Sequence, residues 1–421
     1  MPLPQLNYKK IGIIAGFVVV SISLAIGIVY VFFFSGQEEQ LPPGFIAGID
    51  QPGQLPGTGT GRPGDTAFPV PAGTAPVTPR NSQALDKVAQ GNETNVLPVN
   101  KSRAQDPTPT RDGNDVAFYD PAKGQFFRLS SDGTNKTLLT DEKFFSVSSV
   151  AWSPSRERAV IEYPDGSNII YDFTKRESVT LPQAVMDPVF SPTSENIAFK
   201  LETDNPDDNW LVVTDKNGDN PKFIEPIGSK GDQVQVAFSP TEEAVALFHK
   251  PVGANQEEVF LIGQAGENFK SFVVEGLNFA GKFSPDGTRL LYHTVSQNNS
   301  FNPSLYVVDI RGANIGNNQF ALGLNTWIDK CVFSSNNQDV YCAVPRDLSN
   351  GLGLTPGAVS LTSDTIFKLD LDTGIKNEIA IPANQDGLVN VAVTSIWLDS
   401  AERNVFFWDA RAGQVYKMRL K

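Results

Sequence analysis

The segment that decides the fold spans residues 283–292 and reads FSPDGTRLLY. Its Ser-Pro-Asp-Gly core suits a tight type I turn, because proline presets φ at the second position and glycine is favoured at the fourth. An aromatic residue precedes this turn and an apolar run follows it. The segment therefore predicts a short β-hairpin.

The same pattern recurs along the chain from about residue 96 onward. Its copies begin with an aromatic residue at six positions: Trp152, Phe190, Phe238, Phe283, Phe333 and Trp397. Successive copies start 38 to 64 residues apart, and the last two lack the Ser-Pro dipeptide. After each copy come a second and a third strand-like run, and usually a fourth. Four strands in roughly 45 residues are typical of a propeller blade.

A single blade cannot bury both faces of its sheet, whereas a ring of blades buries them and protects most strand edges. No amphipathic stretch of helical length lies between the predicted strands, so a parallel α/β fold is disfavoured. The sequence therefore predicts an all-β fold, a β-propeller.

The number of blades follows from the repeats. Three strand-like runs at 116–119, 126–129 and 137–139 precede the first copy, so the preferred count is seven blades. Six blades with a composite closing blade are the alternative. We expect residues 96–99 to form the inner strand of the first blade, since an edge strand tolerates Pro98. The last blade is expected to lack its outer strand, because the sequence ends at Lys421.

The N-terminal part of the sequence predicts a membrane anchor. Residues 11–34 form an uncharged apolar run. As a helix, this run is long enough to cross a bilayer. A cleaved signal peptide is the alternative, but the run is too long and lacks a small-x-small site. Lys9 and Lys10 precede the run, so the stub 1–10 is expected in the cytoplasm and the rest outside it. Residues 35–92 are rich in Pro and Gly and predict a disordered linker, followed by the propeller at 93–421.

Composition excludes several classes of function. The chain has 47 acidic against 34 basic residues and a net charge of -13, which argues against a nucleic-acid-binding protein. It has only two His and two Cys, so a His-based triad or a Cys-rich metal site has little to build from.

The segment 283–292 resembles the repeat of TolB-like propellers, which are related to the WD-repeat families. Residues 305–309, LYVVD, match the third strand of that repeat. The resemblance covers roughly residues 115–421. It implies a propeller, often one that serves as an extracytoplasmic interaction module, and it transfers no catalytic residue to this chain.

The loops predict a binding face. Connections between first and second strands are short, whereas those between second and third strands are long and varied, at 202–209, 250–257, 294–303 and 345–364. Insertions on one face of a repeat array usually mark its binding face. The binding-face candidates are Asp204, Asp207, Asp208, His249, His293, Phe301, Leu352 and Leu354.

Two parts of the sequence resemble metal sites, but neither predicts one. His249 and His293 with an acid from 204–208 suit Zn²⁺, but a third strong ligand is missing and ordinary strand-end histidines are favoured. Residues 215–219, DKNGD, resemble a calcium loop with its glycine misplaced, and a hairpin turn is favoured. We therefore expect no metal or cofactor, and no catalytic residue is assigned.

Cys331 and Cys342 flank the turn at Asn336-Asn337 symmetrically. In that register they face each other across a hairpin, with Cβ atoms roughly 4.5–5.5 Å apart. An exported domain allows such a pair to oxidise, so a disulfide is predicted. Two buried thiols or another register are the alternatives.

The leading hypothesis for function is a membrane-tethered, extracytoplasmic propeller that binds another protein or an envelope polymer. The second hypothesis is an enzyme acting on a carbohydrate or peptide through the varied face. A third is a sensor that relays ligand binding through the anchor, which would need a partner helix because the stub is short.

Overall fold

The Ser-Pro segments form tight turns between the first and second strands of each sheet. At Ser284, the carbonyl accepts the Gly287 N–H at 2.9 Å and the hydroxyl accepts the Arg289 N–H at 2.9 Å. Gly287 has φ 68°, in the left-handed region that glycine adopts at little cost. The chain therefore reverses within a few residues and pairs Phe283 with Leu290.

The computed structural model describes residues 85–111, 113–355 and 357–421. The chain divides into Met1–Val77 and Thr78–Lys421, and the described residues belong to the second unit. The predicted stub 1–10, anchor 11–34 and most of the linker 35–92 lie outside the described residues. Within them, no helix has the length and apolarity required to cross a bilayer.

Five separate sheets are each built from four consecutive antiparallel strands. We number these sheets blades 1 to 5. Their strands are, for blade 1, β2 (Gln105–Pro109), β3 (Asp115–Asp120), β4 (Gln125–Ser130) and β5 (Lys136–Leu138); for blade 2, β6 (Ser149–Trp152), β7 (Arg158–Glu162), β8 (Asn168–Asp172) and β9 (Glu177–Leu181); for blade 3, β10 (Val185–Phe190), β11 (Asn196–Leu201), β12 (Trp210–Asp215) and β13 (Lys222–Pro226); for blade 4, β14 (Val234–Val236), β15 (Ala244–Gly253), β16 (Gln256–Gly263) and β17 (Phe272–Glu275); and for blade 5, β18 (Leu277–Phe283), β19 (Arg289–Val295), β20 (Pro303–Asp309) and β21 (Phe320–Ala321).

The other strands form one nine-stranded sheet that contains two further four-stranded units. Blade 6 consists of β22 (Cys331–Phe333), β23 (Asp339–Pro345), β24 (Asp364–Asp370) and β25 (Lys376–Asn384), with the short β26 (Gly387–Leu388) attached to β25. Blade 7 consists of β27 (Val393–Leu398), β28 (Asn404–Asp409), β29 (Gln414–Arg419) and the N-terminal β1 (Asn92–Pro98). The described residues thus form seven four-stranded units, which is the preferred count.

Strand β1 corrects the prediction for residues 96–99. It is not the inner strand of the first blade, which is β2. Instead it pairs antiparallel with β29, with Val96 opposite Met418, and parallel with β25, with Asn92 opposite Ala380. The last blade therefore does not lack its outer strand, because β1 supplies it and also attaches blade 7 to blade 6.

The apolar core is divided among seven clusters, and each cluster lies between two neighbouring blades. Phe126 and Tyr171 pack between blades 1 and 2, and Trp397 of blade 7 shares a cluster with Phe118 of blade 1. Because the last blade packs against the first, the units close into a ring. Each sheet buries both faces only through its neighbours. The all-β prediction is confirmed, and the fold is propeller-like.

The ring has two faces that differ in their connections. We call the face with the second-to-third and fourth-to-first connections the loop face, and the opposite one the turn face. Six of the seven 3₁₀ helices in the described residues lie on the loop face, at Pro206–Asp208, Gly231–Gln233, Gln297–Asn299, Ile328–Lys330, Leu352–Leu354 and Ala358–Ser360, and the seventh, Gly312–Asn314, lies on the turn face. As the fourth strand of blade 7, β1 runs from the turn face to the loop face.

The prediction of a loop at 250–257 was wrong. Strands β15 and β16 continue through most of this segment, and Lys250 pairs with Glu258 across them. A two-residue connection joins the strands, so this part of blade 4 is an extended hairpin with an exposed tip.

Candidate binding site

The loop face carries a groove between blades 3 and 4, which we call the interblade groove. It is a cavity of about 340 Å³. Its apolar floor consists of Leu211, Ile227, Val234, Phe248 and Ile262, and its rim carries Asp207, Glu225 and Lys230. Leu211 is buried in β12, as are the three residues that follow it, whereas Phe248 and Ile262 are only partly covered.

The acidic side of the groove is held by the loop at 202–209. The Asn205 side chain accepts the Asp207 N–H at 3.3 Å and donates to the Asp208 carboxylate at 2.9 Å. The Asn209 side chain accepts the Thr203 N–H at 2.6 Å. These short-range bonds set the backbone of the loop, so the Asp207 backbone is fixed at the rim.

The three predicted acids therefore have different positions. Asp207 lines the groove, Asp208 is bonded to Asn205, and Asp204 is exposed in the same loop. Glu225, which sequence reasoning missed, reaches the rim from β13. On the opposite side, the Lys230 Nζ lies 5.9 Å from the centre of the Phe248 ring. The rim thus has an acidic excess above an apolar floor.

His249 is half-buried in β15 and not at its end. Its Nδ1 lies 3.1 Å from the Glu257 Oε1, and the other oxygen of that carboxylate accepts the Phe279 N–H at 3.0 Å. His249 and Glu257 therefore connect blade 4 to blade 5.

His293 is buried in β19 and is not presented on the loop face. Burial lowers the pKa of His293 to about 4, against the opposing effect of the Asp329 carboxylate. Its Nδ1 accepts the Ile328 N–H at 3.1 Å, which requires a neutral ring.

No group of three or more His, Cys, Asp or Glu side chains within the described ranges is arranged to hold a metal ion. In the calcium-like segment, the Asp215 carboxylate accepts the N–H groups of Asn217 and Asp219, as in a capped turn. The segment connects β12 to β13 on the turn face.

Phe301, Leu352 and Leu354 lie together on blades 5 and 6, away from the interblade groove. The blade 6 loop rests on the blade 5 loop, where the Gly351 N–H donates to Ser300 at 2.7 Å and the Gly353 N–H donates to Phe301 at 3.0 Å. Phe301 is 36% and Leu354 48% exposed, and Leu352 is half-buried. The structure therefore brings these three apolar candidates together but separates them from the acids.

Cys331 and Cys342 face each other directly across β22 and β23. Their Cα atoms lie 4.1 Å apart and the Sγ atoms are joined in a disulfide. Both residues are fully buried in the cluster between blades 5 and 6.

Two further groups of ionisable residues lie near the loop face, and sequence reasoning missed both. Lys330 is fully buried and donates to both oxygens of Asp364, at 2.7 and 2.9 Å, and to Thr362 at 2.6 Å. Burial lowers the pKa of Lys330 and raises that of Asp364, while each opposes the shift of the other. These partners are more than 30 positions apart, so no local signal identifies them.

Asp106 is the other missed group. It lies in a bulge of β2 with φ 45°, and its carboxylate accepts the Val150 N–H of blade 2 at 2.9 Å. Burial raises the pKa of Asp106 to about 6, and the Glu162 carboxylate contributes to the rise. Burial also raises the pKa of Glu162. An Asp-Pro dipeptide begins both this bulge and the one at Asp187, and this repeat was the available signal.

No family model matches this chain, and no curated protein does so either. Among solved structures, it resembles the β-propeller domain of Cps50 (Swd1) from Myceliophteria thermophila, with a TM-score of 0.51 and 9% identity over 77% of this chain and 100% of that one. This likeness shows the fold alone.

Two other solved structures are less similar. One is the tricorn protease, with a TM-score of 0.48 and 13% identity over 77% of this chain and 34% of that one. The other is TolB from Acinetobacter baumannii, with a TM-score of 0.40 and 16% identity over 64% of each chain. The chain thus spans about a third of the tricorn protease and just under two thirds of TolB.

Proposed function

We propose that the domain is a protein-binding module, and that its interblade groove binds a peptide segment carrying a basic side chain next to an apolar one. The observation that supports this is the combination of a concave apolar floor with the carboxylates of Asp207 and Glu225 at its rim. A cavity of about 340 Å³ lies within the size range of ligand sites in proteins.

The floor and the rim would make different contributions. Covering Phe248 and Ile262 with one aliphatic or aromatic side chain contributes about 1.5–3 kcal/mol. Rim carboxylates contribute mainly to association rate and selectivity. With two acids against Lys230, the rim favours a cationic segment and disfavours an acidic one.

The direction of β1 supports a tethered arrangement. Residues before Asn92 join the ring on the turn face, since β1 runs from that face to the loop face. The described residues that lead into β1 therefore enter the ring on the face opposite to the interblade groove. We therefore keep as part of the proposal the anchor at 11–34 and the position of the propeller outside the cytoplasm.

Selection of peptides by the full chain tests the groove. We expect panning of a random heptapeptide library to enrich sequences that combine Lys or Arg with Leu, Ile or Phe. The enriched peptide should bind the double variant Asp207→Asn/Glu225→Gln about tenfold more weakly, since both rim carboxylates are lost. Lys230→Gln should strengthen its binding.

The matched control is Asp219→Asn, an exposed acid on the turn face, and this variant should bind the peptide as the unmodified chain does. No enrichment, enrichment of acidic peptides, or equal binding by the double variant would overturn the proposal. Binding of an envelope polysaccharide in place of any peptide would overturn it as well.

A second candidate, an enzyme acting on carbohydrate or peptide, is favoured by one observation. Asp106 and Glu162 are neighbouring carboxyl groups near the loop face, and both have a raised pKa, as a general acid requires. Hydrolysis of a glycan or peptide panel that is lost in both Asp106→Asn and Glu162→Gln would support the enzyme. Hydrolysis that persists in either variant, or none by the unmodified chain, would reject it.

A further inference from the structure

A second cavity, between blades 1 and 2, has the opposite charge character to the chain as a whole. It measures about 530 Å³ and is lined by Arg111, Arg128 and Arg156. Arg111 and Arg156 belong to first-to-second turns and also line the adjoining cavity of about 650 Å³. The cavity therefore reaches the turn face, in a chain whose net charge is -13.

Arg156 is fixed by its backbone contacts. Its Nε donates to the Pro109 carbonyl and its Nη1 to the Ser153 carbonyl, both at 2.5 Å. Its guanidinium is partly buried, and this burial lowers its pKa to about 10. Arg156 is thus an oriented cation without an acidic partner among the described residues.

The other two arginines, Arg111 and Arg128, are exposed to solvent. Arg128 Nε lies 2.7 Å from the Asp115 carboxylate. Within the described residues, neither Arg111 nor Arg156 forms an ion pair. In the part of the chain that the structure describes, three guanidinium groups line the cavity and one carboxylate pairs with them, so this part contributes a positive excess. Arginine binds phosphate oxygens through paired N–H donors, and it does so most strongly where water is partly excluded.

We infer that the cavity formed by Arg111, Arg128 and Arg156 binds a phosphate group carried by a small molecule or by a lipid headgroup. Its volume exceeds that of a phosphate ion, so there is room for the group that carries the phosphate. The cavity is separate from the interblade groove, so its test is independent of peptide binding.

Calorimetric titration of the full chain tests the inference. The probes are inorganic phosphate, glycerol 3-phosphate and monomeric dihexanoyl phosphatidylglycerol at constant ionic strength. We expect at least one of them to bind, about tenfold more weakly to the double variant Arg111→Gln/Arg128→Gln. Asp115→Asn should strengthen binding, because it removes the competing carboxylate.

Arg411→Gln is the matched control, because Arg411 is exposed on the loop face, and it should bind the probe as the unmodified chain does. Arg111 and Arg128 are also exposed, so the double variant should keep the unfolding midpoint of the unmodified chain. Equal affinity for the three probes identifies the phosphate alone as the ligand, and a preference for the lipid identifies a headgroup. Binding of none of them, or equal binding by the double variant, would overturn the inference.

Discussion

At the scale of single residues, the first-to-second turns show how residues other than glycine occupy a backbone position that favours glycine. The last residue of the seven first-to-second turns has positive φ, and it is glycine only at Gly113 and Gly287. The other five are Arg156, Ser194, Glu242, Asn337 and Glu402. Each reaches the turn of the preceding blade, as when Glu242 accepts the Thr193 N–H and Glu402 accepts the Ser335 N–H. These hydrogen bonds between neighbouring blades offset the free-energy cost of a positive φ at residues other than glycine.

The first prediction concerns Glu242. Glu242→Ala should lower the free energy of unfolding by about 1.5–3 kcal/mol, because it removes charge-assisted bonds and keeps the left-handed backbone. Glu242→Gly should cost about 1 kcal/mol less, since glycine relieves the backbone cost. Urea unfolding measures both, with Glu243→Ala, an exposed neighbour, as the control. Equal losses for alanine and glycine would contradict the role of the backbone.

The second prediction concerns two groups with opposite pH dependence. His293 has a pKa of about 4 in the folded chain against 6.5 ordinarily, so stability falls as pH decreases from 6.5 to 4. Asp106 has a folded pKa of about 6 against 3.8 ordinarily, so stability falls as pH increases from 4 to 6. The two effects oppose each other between pH 4 and 6.

Single variants separate them. His293→Asn keeps an acceptor for the Ile328 N–H, and its free energy of unfolding should rise, relative to the unmodified chain, as pH decreases from 6.5 to 4. Asp106→Asn should show the reverse between pH 6 and 4. Urea unfolding at pH 4, 5, 6 and 7 provides the comparison, and parallel curves for all three proteins would refute the assignment.

Among the strands, β1 shows where reasoning from local sequence reaches its limit. Pro98 lies at the end of β1 that pairs with β29 alone, whereas Asn92–Asn95 pair with β25, so β1 as a whole is not the edge strand that Pro98 suggested. The pairing of Val96 with Met418 joins the two ends of the domain. Hydrophobic pattern predicts that a strand exists, and only the closed ring determines its partner.

The third prediction concerns the two faces of β1. Val96 is buried between blades 6 and 7, whereas its neighbour Leu97 is 55% exposed. Val96→Asp should cost about 3 kcal/mol or more, because it buries an unpaired charge. Leu97→Asp is the matched control and should change stability by about 0.5 kcal/mol or less. Equal effects in urea unfolding would argue against β1 as the outer strand of blade 7.

The fourth prediction concerns the hairpin of blade 6. Cys331 and Cys342 are 11 positions apart, and closing a loop of this length contributes about 3 kcal/mol through the unfolded chain. We expect no free thiol when the unreduced protein is unfolded and titrated. The double variant Cys331→Ser/Cys342→Ser should unfold at lower urea concentration. Two reactive thiols in the purified protein would contradict the disulfide.

The ring as a whole was predictable from its repeats, whereas the interblade groove was predictable only in part. Repeat spacing predicted the units, since each must pack against its neighbours. Of the predicted binding residues, Asp207 alone lines the groove. Glu225 and Lys230 reach it from segments without a distinguishing motif, and Phe248 was not distinguished from an ordinary core residue. Such a site depends on how two blades meet, which single repeats do not encode.

Hydrogen–deuterium exchange of the full chain, with and without the peptide selected by panning, tests the central claim most directly. We predict slower exchange at residues 206–211, 225–234 and 246–262, which surround the interblade groove, and no change on the turn face at 109–111. Protection confined to the loops at 296–302 and 346–361, or to the turn face, would contradict the groove as the binding site.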